Sequence, residues 1–146
     1  MREILFRGKR KDNKKWIYGF LIMNKYTAKE NGNLIYITKP NIIPIGNIGE
    51  ADYDGDGNYY EYEVIPETVG QYTGLKDKNG RKIFEGDIIL YGLIPCVVKN
   101  DTENARFMLY KKGKYIINGF NADTMKLKEV IGNIHDNPEL MKGGAE

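Results

Sequence analysis

Between Val69 and Ile89 the chain reads VGQYTGLKDKNGRKIFEGDII, and no other stretch limits the fold so tightly. Asn79-Gly80 is the dipeptide favoured in a two-residue type I′ turn, because both central residues there take positive φ. Glu85-Gly86-Asp87 then opens onto Ile88-Ile89-Leu90, an apolar run of strand length. A weaker copy of this pattern stands 67 positions upstream, where Lys15, Ile17, Gly19, Leu21 and Ile22 fall on Lys82, Phe84, Gly86, Ile88 and Ile89. A shorter echo, Ile-Gly-Asn-Ile, occurs at 45–48 and 131–134, with Val69-Gly70-Gln71-Tyr72 as a variant. The expected fold is mainly β: two related units of SH3-like barrel or roll type, each a charged hairpin followed by a strand bent at glycine.

The flanking segments extend this reading. Glu3–Arg7 and Trp16–Ile22 form an expected hairpin about the polar tip Gly8–Lys15. Tyr26–Asn33 reads as a polar loop with one helical turn, and Leu34–Thr38 as a strand stopped by Pro40. Ile42–Ile48, with Pro44 and Gly46, is at most a short or edge strand. Glu50–Asn58 is an acidic, Gly-rich loop, and Tyr59–Ile65 alternates like a half-buried strand. Beyond the central motif, Pro95 interrupts and Cys96–Lys99 continues as strand. Ala105–Tyr110 and Tyr115–Phe120 flank a turn at Gly113. Lys126–Ile134 favours strand, and Asn137-Pro138-Glu139-Leu140 is a helix-start signature that predicts a short C-terminal helix. The 146 residues suit a single domain, divisible into β sub-units at 1–68 and 69–142.

Charge is segregated along the chain. Residues 1–45 hold ten basic against three acidic residues, whereas 46–70 hold seven acidic and no basic ones. Such blocks pair within one fold, pair between copies, or face a charged partner. Arg7, Lys9, Arg10, Lys11, Lys14 and Lys15 crowd one hairpin tip beside Trp16 and Tyr18. Cations that neutralise phosphate next to rings that stack on bases are the ingredients of nucleic-acid binding, which makes these eight residues the candidate site. Pairing of the basic with the acidic block would account for both without any ligand, and a sequence pI of ≈ 8.5 is below that of strongly basic binders.

Reactive centres are scarce. The chain has no serine, one cysteine and one histidine, so a Ser-His-Asp triad and a soft-ligand zinc site both fail within one chain. Cys96, between Pro95 and Val97-Val98, reads as a core residue. Asp54, Asp56 and Asn58 mimic the start of a calcium loop, yet Tyr59 stands where glycine is needed and Ile65 where a bidentate Glu belongs. Glu85 and Asp87 share a strand face, and Asp87 is expected to cap local backbone N–H groups. No catalytic residue, metal site or cofactor is expected, and no run of apolar residues reaches membrane-spanning length.

Three segments together resemble one family. VGQYTGLKDKNGRKIFEGDII, the N-terminal REILFRGKRKDNKKWIYG and the C-terminal EVIGNIHDNPEL are similar, in that order, to the YopX family of phage and prophage proteins. The resemblance implies a β-rich, SH3-like architecture, self-association and a phage or prophage origin. It implies no reaction, since the family carries no recognised catalytic set. The expectation is a non-enzymatic accessory protein in the cytoplasm of a bacterial host cell, self-associating as a binding or assembly module. Its partners would be a second copy and a host or phage macromolecule, with no membrane involved. The alternative is a nucleic-acid-binding accessory protein that uses the basic hairpin.

Overall fold

The computed structural model describes residues 3–45 and 55–142, and the chain divides into two compact units. One comprises Ile4–Gly70, the other Met1–Glu3 with Gln71–Glu146. As expected, the chain is mainly β, in two β units with short helical turns.

In the first unit, strands β1 (Phe6–Lys9), β2 (Trp16–Glu30), β3 (Asn33–Pro44) and β4 (Tyr62–Glu63) form an antiparallel sheet ordered β4-β3-β2-β1. The expected polar loop at Tyr26–Asn33 is instead the end of a long hairpin, in which β2 and β3 pair without a register shift from Gly19↔Pro44 to Glu30↔Asn33. The reason lies in Asn31-Gly32, whose φ values of 52° and 79° make the two-residue turn that matches strand twist. No polar/apolar period announces these strands, because both faces of the distal hairpin are exposed. Nor does Pro40 stop β3: its carbonyl accepts the Val64 N–H at 3.1 Å, so the missing donor faces the sheet margin. Leu5, Ile42, Ile43 and Val64 form the buried core of this unit.

Gly19 is where the sheet is tightest. It pairs with Phe6 on one side and Pro44 on the other, and a Cβ there would lie 1.9 Å from the Ile43 carbonyl oxygen. Gly86, its counterpart in the internal echo, takes φ 93° in the turn before a strand and donates its N–H to Val98 at 2.8 Å. One glycine admits a neighbouring backbone and the other reverses the chain, so the echo marks no shared bend. Of the shorter echo, 46–48 lies outside the described residues.

The second unit pairs β5 (Gly70–Lys76) with β6 (Lys82–Phe84). It then lays down β7 (Asp87–Tyr91), β8 (Ile94–Asp101), β9 (Arg106–Lys111) and β10 (Lys114–Ile116). A four-residue helix α1 (Ala122–Met125) follows, and β11 (Val130–Asn133) returns to β7, giving the sheet order β10-β9-β8-β7-β11. Ile83, Ile89, Cys96, Val98, Leu109, Met125 and Val130 make its core. Pro95 does not interrupt β8; it pairs with Leu90 inside the ladder. The expected strand at Lys126–Ile134 contracts to β11, because Asn121 caps α1 by accepting the Thr124 N–H at 2.9 Å and Leu127 points into solvent. Near the C-terminus, Pro138–Met141 form the expected short helix as a 3₁₀ turn. Asn137 does not cap it, since its side chain instead accepts the Asn133 N–H at 3.2 Å.

The central motif forms a hairpin of a different type from the one expected. Gly80 has φ 78° but Asn79 is not in the left-handed region, so the turn is not type I′. Asp77 decides this. Its buried carboxylate accepts the N–H groups of Asn79 and Arg81 at 2.9 Å each, and that of Val130 at 3.1 Å. A local ring of hydrogen bonds thus sets the turn and ties it to β11. Burial pushes the Asp77 carboxyl up, but the Val130, Arg81 and Asn79 N–H groups outweigh it and hold it below its ordinary value. Asp87, fully buried, accepts the Phe84 N–H at 2.8 Å, as its capping role required.

Two stability experiments follow from these positions. Gly19→Ala should lose about 3 kcal/mol or more in urea unfolding, whereas Gly32→Ala, with open space around it, should lose only about 1–2 kcal/mol. Asp77→Ala should lose about 2–4 kcal/mol at neutral pH, because the buried Val130 N–H and the part-buried N–H groups of Asn79 and Arg81 lose their acceptor. The Asp77 contribution is present above the ordinary carboxylate range and disappears as pH falls through the depressed native value. Wild type and variant should therefore converge on acidification, and a gap independent of pH would refute the assignment.

Candidate nucleic-acid interface

The eight residues singled out in the sequence divide into two groups. Cross-strand pairs Arg7↔Tyr18 and Lys9↔Trp16 place four of them on one face of the β1–β2 ladder. Arg7 is only 2% exposed, and its guanidinium carbon lies 4.7 Å from the Trp16 ring centroid. The Lys9 ammonium is 5.6 Å from the same centroid. Tyr18 remains 43% exposed. The indole is thus held by cations rather than presented bare to a base.

The remaining four lie at the tip. Arg10 grips Asp12 through two hydrogen bonds, Nε at 2.9 Å and Nη2 at 2.6 Å, and its guanidinium stacks 3.9 Å from the Tyr62 centroid. The bond to Asp12 raises the Arg10 pKa above its ordinary value and lowers that of Asp12. Lys11 Nζ donates to Glu63 at 2.9 Å, and the Lys11 N–H donates to the Glu63 carbonyl at 3.0 Å. Lys14, with φ 61°, donates from Nζ to the Lys11 carbonyl at 2.9 Å. Lys15 donates its backbone N–H to Asn13 Oδ1 at 2.9 Å while its side chain faces solvent.

Four residues outside the candidate set complete the arrangement. Lys39 approaches the other oxygen of Glu63 at 3.9 Å. Glu61 accepts the amides of Asn24 at 2.7 Å and Asn41 at 2.9 Å. The β2–β3 and β3–β4 registers together bring these groups to Glu61 and Glu63, and no local sequence signal carries that information. Lys11, Asp12, Glu61, Tyr62 and Glu63 line an open recess of ≈ 410 Å³. Within this unit, members of the basic and acidic blocks neutralise each other. The Lys11 hydrogen bond, helped by Lys39, keeps the Glu63 carboxyl below its ordinary range.

Other groups weighed in the sequence have structural partners. Cys96 is buried on the core face, and that burial pushes its thiol up. Glu85 accepts the Gln71 N–H at 3.3 Å. Among the described residues, no group of three or more His, Cys, Asp or Glu side chains converges to hold a metal. Asp54 of the calcium-like run lies outside the described residues. No helix among those described is long and apolar enough to cross a membrane.

Glu63→Gln should lower the melting temperature slightly at low ionic strength. The difference should close near about 1 M salt, where the Debye length is ~3 Å, and also as pH falls through the depressed native pKa of Glu63, where the carboxylate loses its charge. A persistent difference under both conditions would mean that Glu63 acts through packing rather than charge.

Comparison with known proteins places this architecture. No curated protein matches the chain. One solved structure of similar fold is the crystal structure of protein EF1440 from Enterococcus faecalis. It is 23% identical, covers 97% of this chain and 100% of its own, and superposes with a TM-score of 0.56, a likeness of fold alone. The model of the YopX protein family matches residues 5–142, and the chain belongs to that family.

Proposed function

We propose that this YopX-family chain is a non-enzymatic accessory protein of phage or prophage origin that works by self-association and by occupying a macromolecular surface. The observation that carries this reading is where its apolar surface lies. Phe20, Met23, Tyr26, Leu34 and Tyr36 are exposed along one hairpin, in a unit where Arg10, Lys11 and Lys39 have acidic partners. Exposed aromatic and aliphatic side chains concentrated on one element are the material of a protein–protein interface. Its setting on this reading is the cytoplasm of a bacterial host cell, with a second copy and a host or phage macromolecule as partners. Because the surface is apolar, association through it should survive high salt. Light scattering should report a mass above 16.7 kDa at low and high ionic strength; a monomer under all conditions would remove the reading. Affinity capture from lysogenic or infected cells, with and without nuclease, then distinguishes protein from nucleic-acid partners.

A second reading rests on the shared face of Lys9, Trp16 and Tyr18, flanked by the Lys14–Lys15 tip. It makes the chain a nucleic-acid-binding accessory protein. Lys14→Glu with Lys15→Glu should then abolish a mobility shift on DNA or RNA. Equal retardation of mutant and wild type, or none from either, would eliminate it.

A further inference from the structure

Past Met23↔Pro40, β2 and β3 pair only with each other among the described residues, as far as Glu30↔Asn33. A two-stranded ribbon is marginal in water, and this one exposes Met23, Tyr26, Leu34, Tyr36 and Ile37. Its two edges differ. The β2 edge carries Lys25 and Lys29, charges of the kind that block strand addition. The β3 edge reads Asn33-Leu34-Ile35-Tyr36-Ile37-Thr38, with neither charge nor proline.

The hydrogen-bond phase of β3 is fixed by its inner end. The Pro40 carbonyl accepts from Val64 of the β4 side, whereas the Ile45 N–H donates to the Tyr18 carbonyl of β2 at 3.2 Å. Alternation along the strand therefore points the N–H and C=O groups of Leu34, Tyr36 and Thr38 away from β2.

We propose, building on the self-association reading above, that a second copy of this chain docks on the β3 edge. The two edges run antiparallel about a twofold axis at Tyr36 and join two ribbons into one four-stranded sheet. Tyr36 then pairs with itself, and Leu34 pairs with Thr38 of the partner subunit. All three outward-facing residues of each copy find donors and acceptors in phase. On one face, Ala28 and Ile35 continue into Ile37 and Tyr26 of the partner subunit, so an apolar row crosses the seam unbroken. On the same face, Glu30 and Asn33 continue into Lys39 of the partner subunit, which sets opposite charges in one row. A parallel alignment would instead bring like positions, including the two Lys39 side chains, together. The outer edges of the joined sheet are both β2, guarded by Lys25 and Lys29, so assembly stops at two copies and does not run on into fibres.

The test uses the full chain in sedimentation velocity across a concentration series. Wild type should reach about 33 kDa, twice the 16.7 kDa chain. Tyr36→Lys places a guarding charge on a side chain that is 75% exposed, so folding should persist with unchanged far-ultraviolet circular dichroism. It should sediment as a monomer, while Lys25→Ala on the opposite edge should still dimerise. In hydrogen exchange, the Leu34, Tyr36 and Thr38 amides should be protected in concentrated wild type and exposed in Tyr36→Lys. A wild type that stays monomeric overturns both this proposal and the self-association reading. A wild type that associates as strongly as folded Tyr36→Lys overturns the edge alone and leaves self-association standing.

Discussion

The unbroken register between β2 and β3, from Gly19↔Pro44 to Glu30↔Asn33, is the constraint on which the first unit depends. At its inner end the register places Ile42 and Ile43 in the core and brings the Ile43 carbonyl against Gly19, where only a hydrogen fits. In its middle it sets Asn24 diagonally across from Asn41 on the same face, so that both amides converge on Glu61. At its outer end it carries Tyr26 and Tyr36 beyond any neighbouring strand among the described residues. A slip of one residue would invert every side chain. The core, the polar clamp on Glu61 and the exposed ribbon would be lost together.

Electrostatics in this unit is local rather than a long-range field. The sequence suggests a strongly positive hairpin facing a strongly negative segment, but Arg10 is matched by Asp12 and Lys11 by Glu63 at hydrogen-bond distance. Arg7 is withdrawn from solvent against Trp16. Pairs this exposed add little to stability; their effect is to cancel the potential that a polyanion would sense. On the reading proposed above, the contact surface is instead the apolar and aromatic side of the β2–β3 hairpin.

Much of this was legible in the chain, and the failures have physical causes. Apolar runs at Ile88–Leu90 and Cys96–Lys99 gave strands because successive residues there are buried on both faces, which leaves an unbroken apolar run of strand length. The Lys112-Gly113 turn gave its hairpin for the same reason as Asn31-Gly32, since both dipeptides adopt positive φ at each residue. Asn31-Gly32 carried an equally strong signal, but the strands beside it are exposed on both faces and show no period. Pro40 and Pro95 misled because proline is excluded only where its missing N–H must pair. Asn79-Gly80 misled because Asp77, two residues earlier, competes for the same backbone donors. Of the candidate interface, the clustering of the basic residues was readable. Their neutralisation by Glu63 was not, since that partner is supplied by strand register alone.

The return of β11 to β7 has a consequence for synthesis. Val130 is both the last buried apolar residue of the second unit's core and the donor that completes the Asp77 ring. During vectorial translation, the first unit holds all its strands once Gly70 has left the ribosome, whereas the β7 edge must wait for residues 130–133. Nascent chains that stall between these points display an unfinished sheet whose open margin is the fully buried Ile88–Ile89 pair.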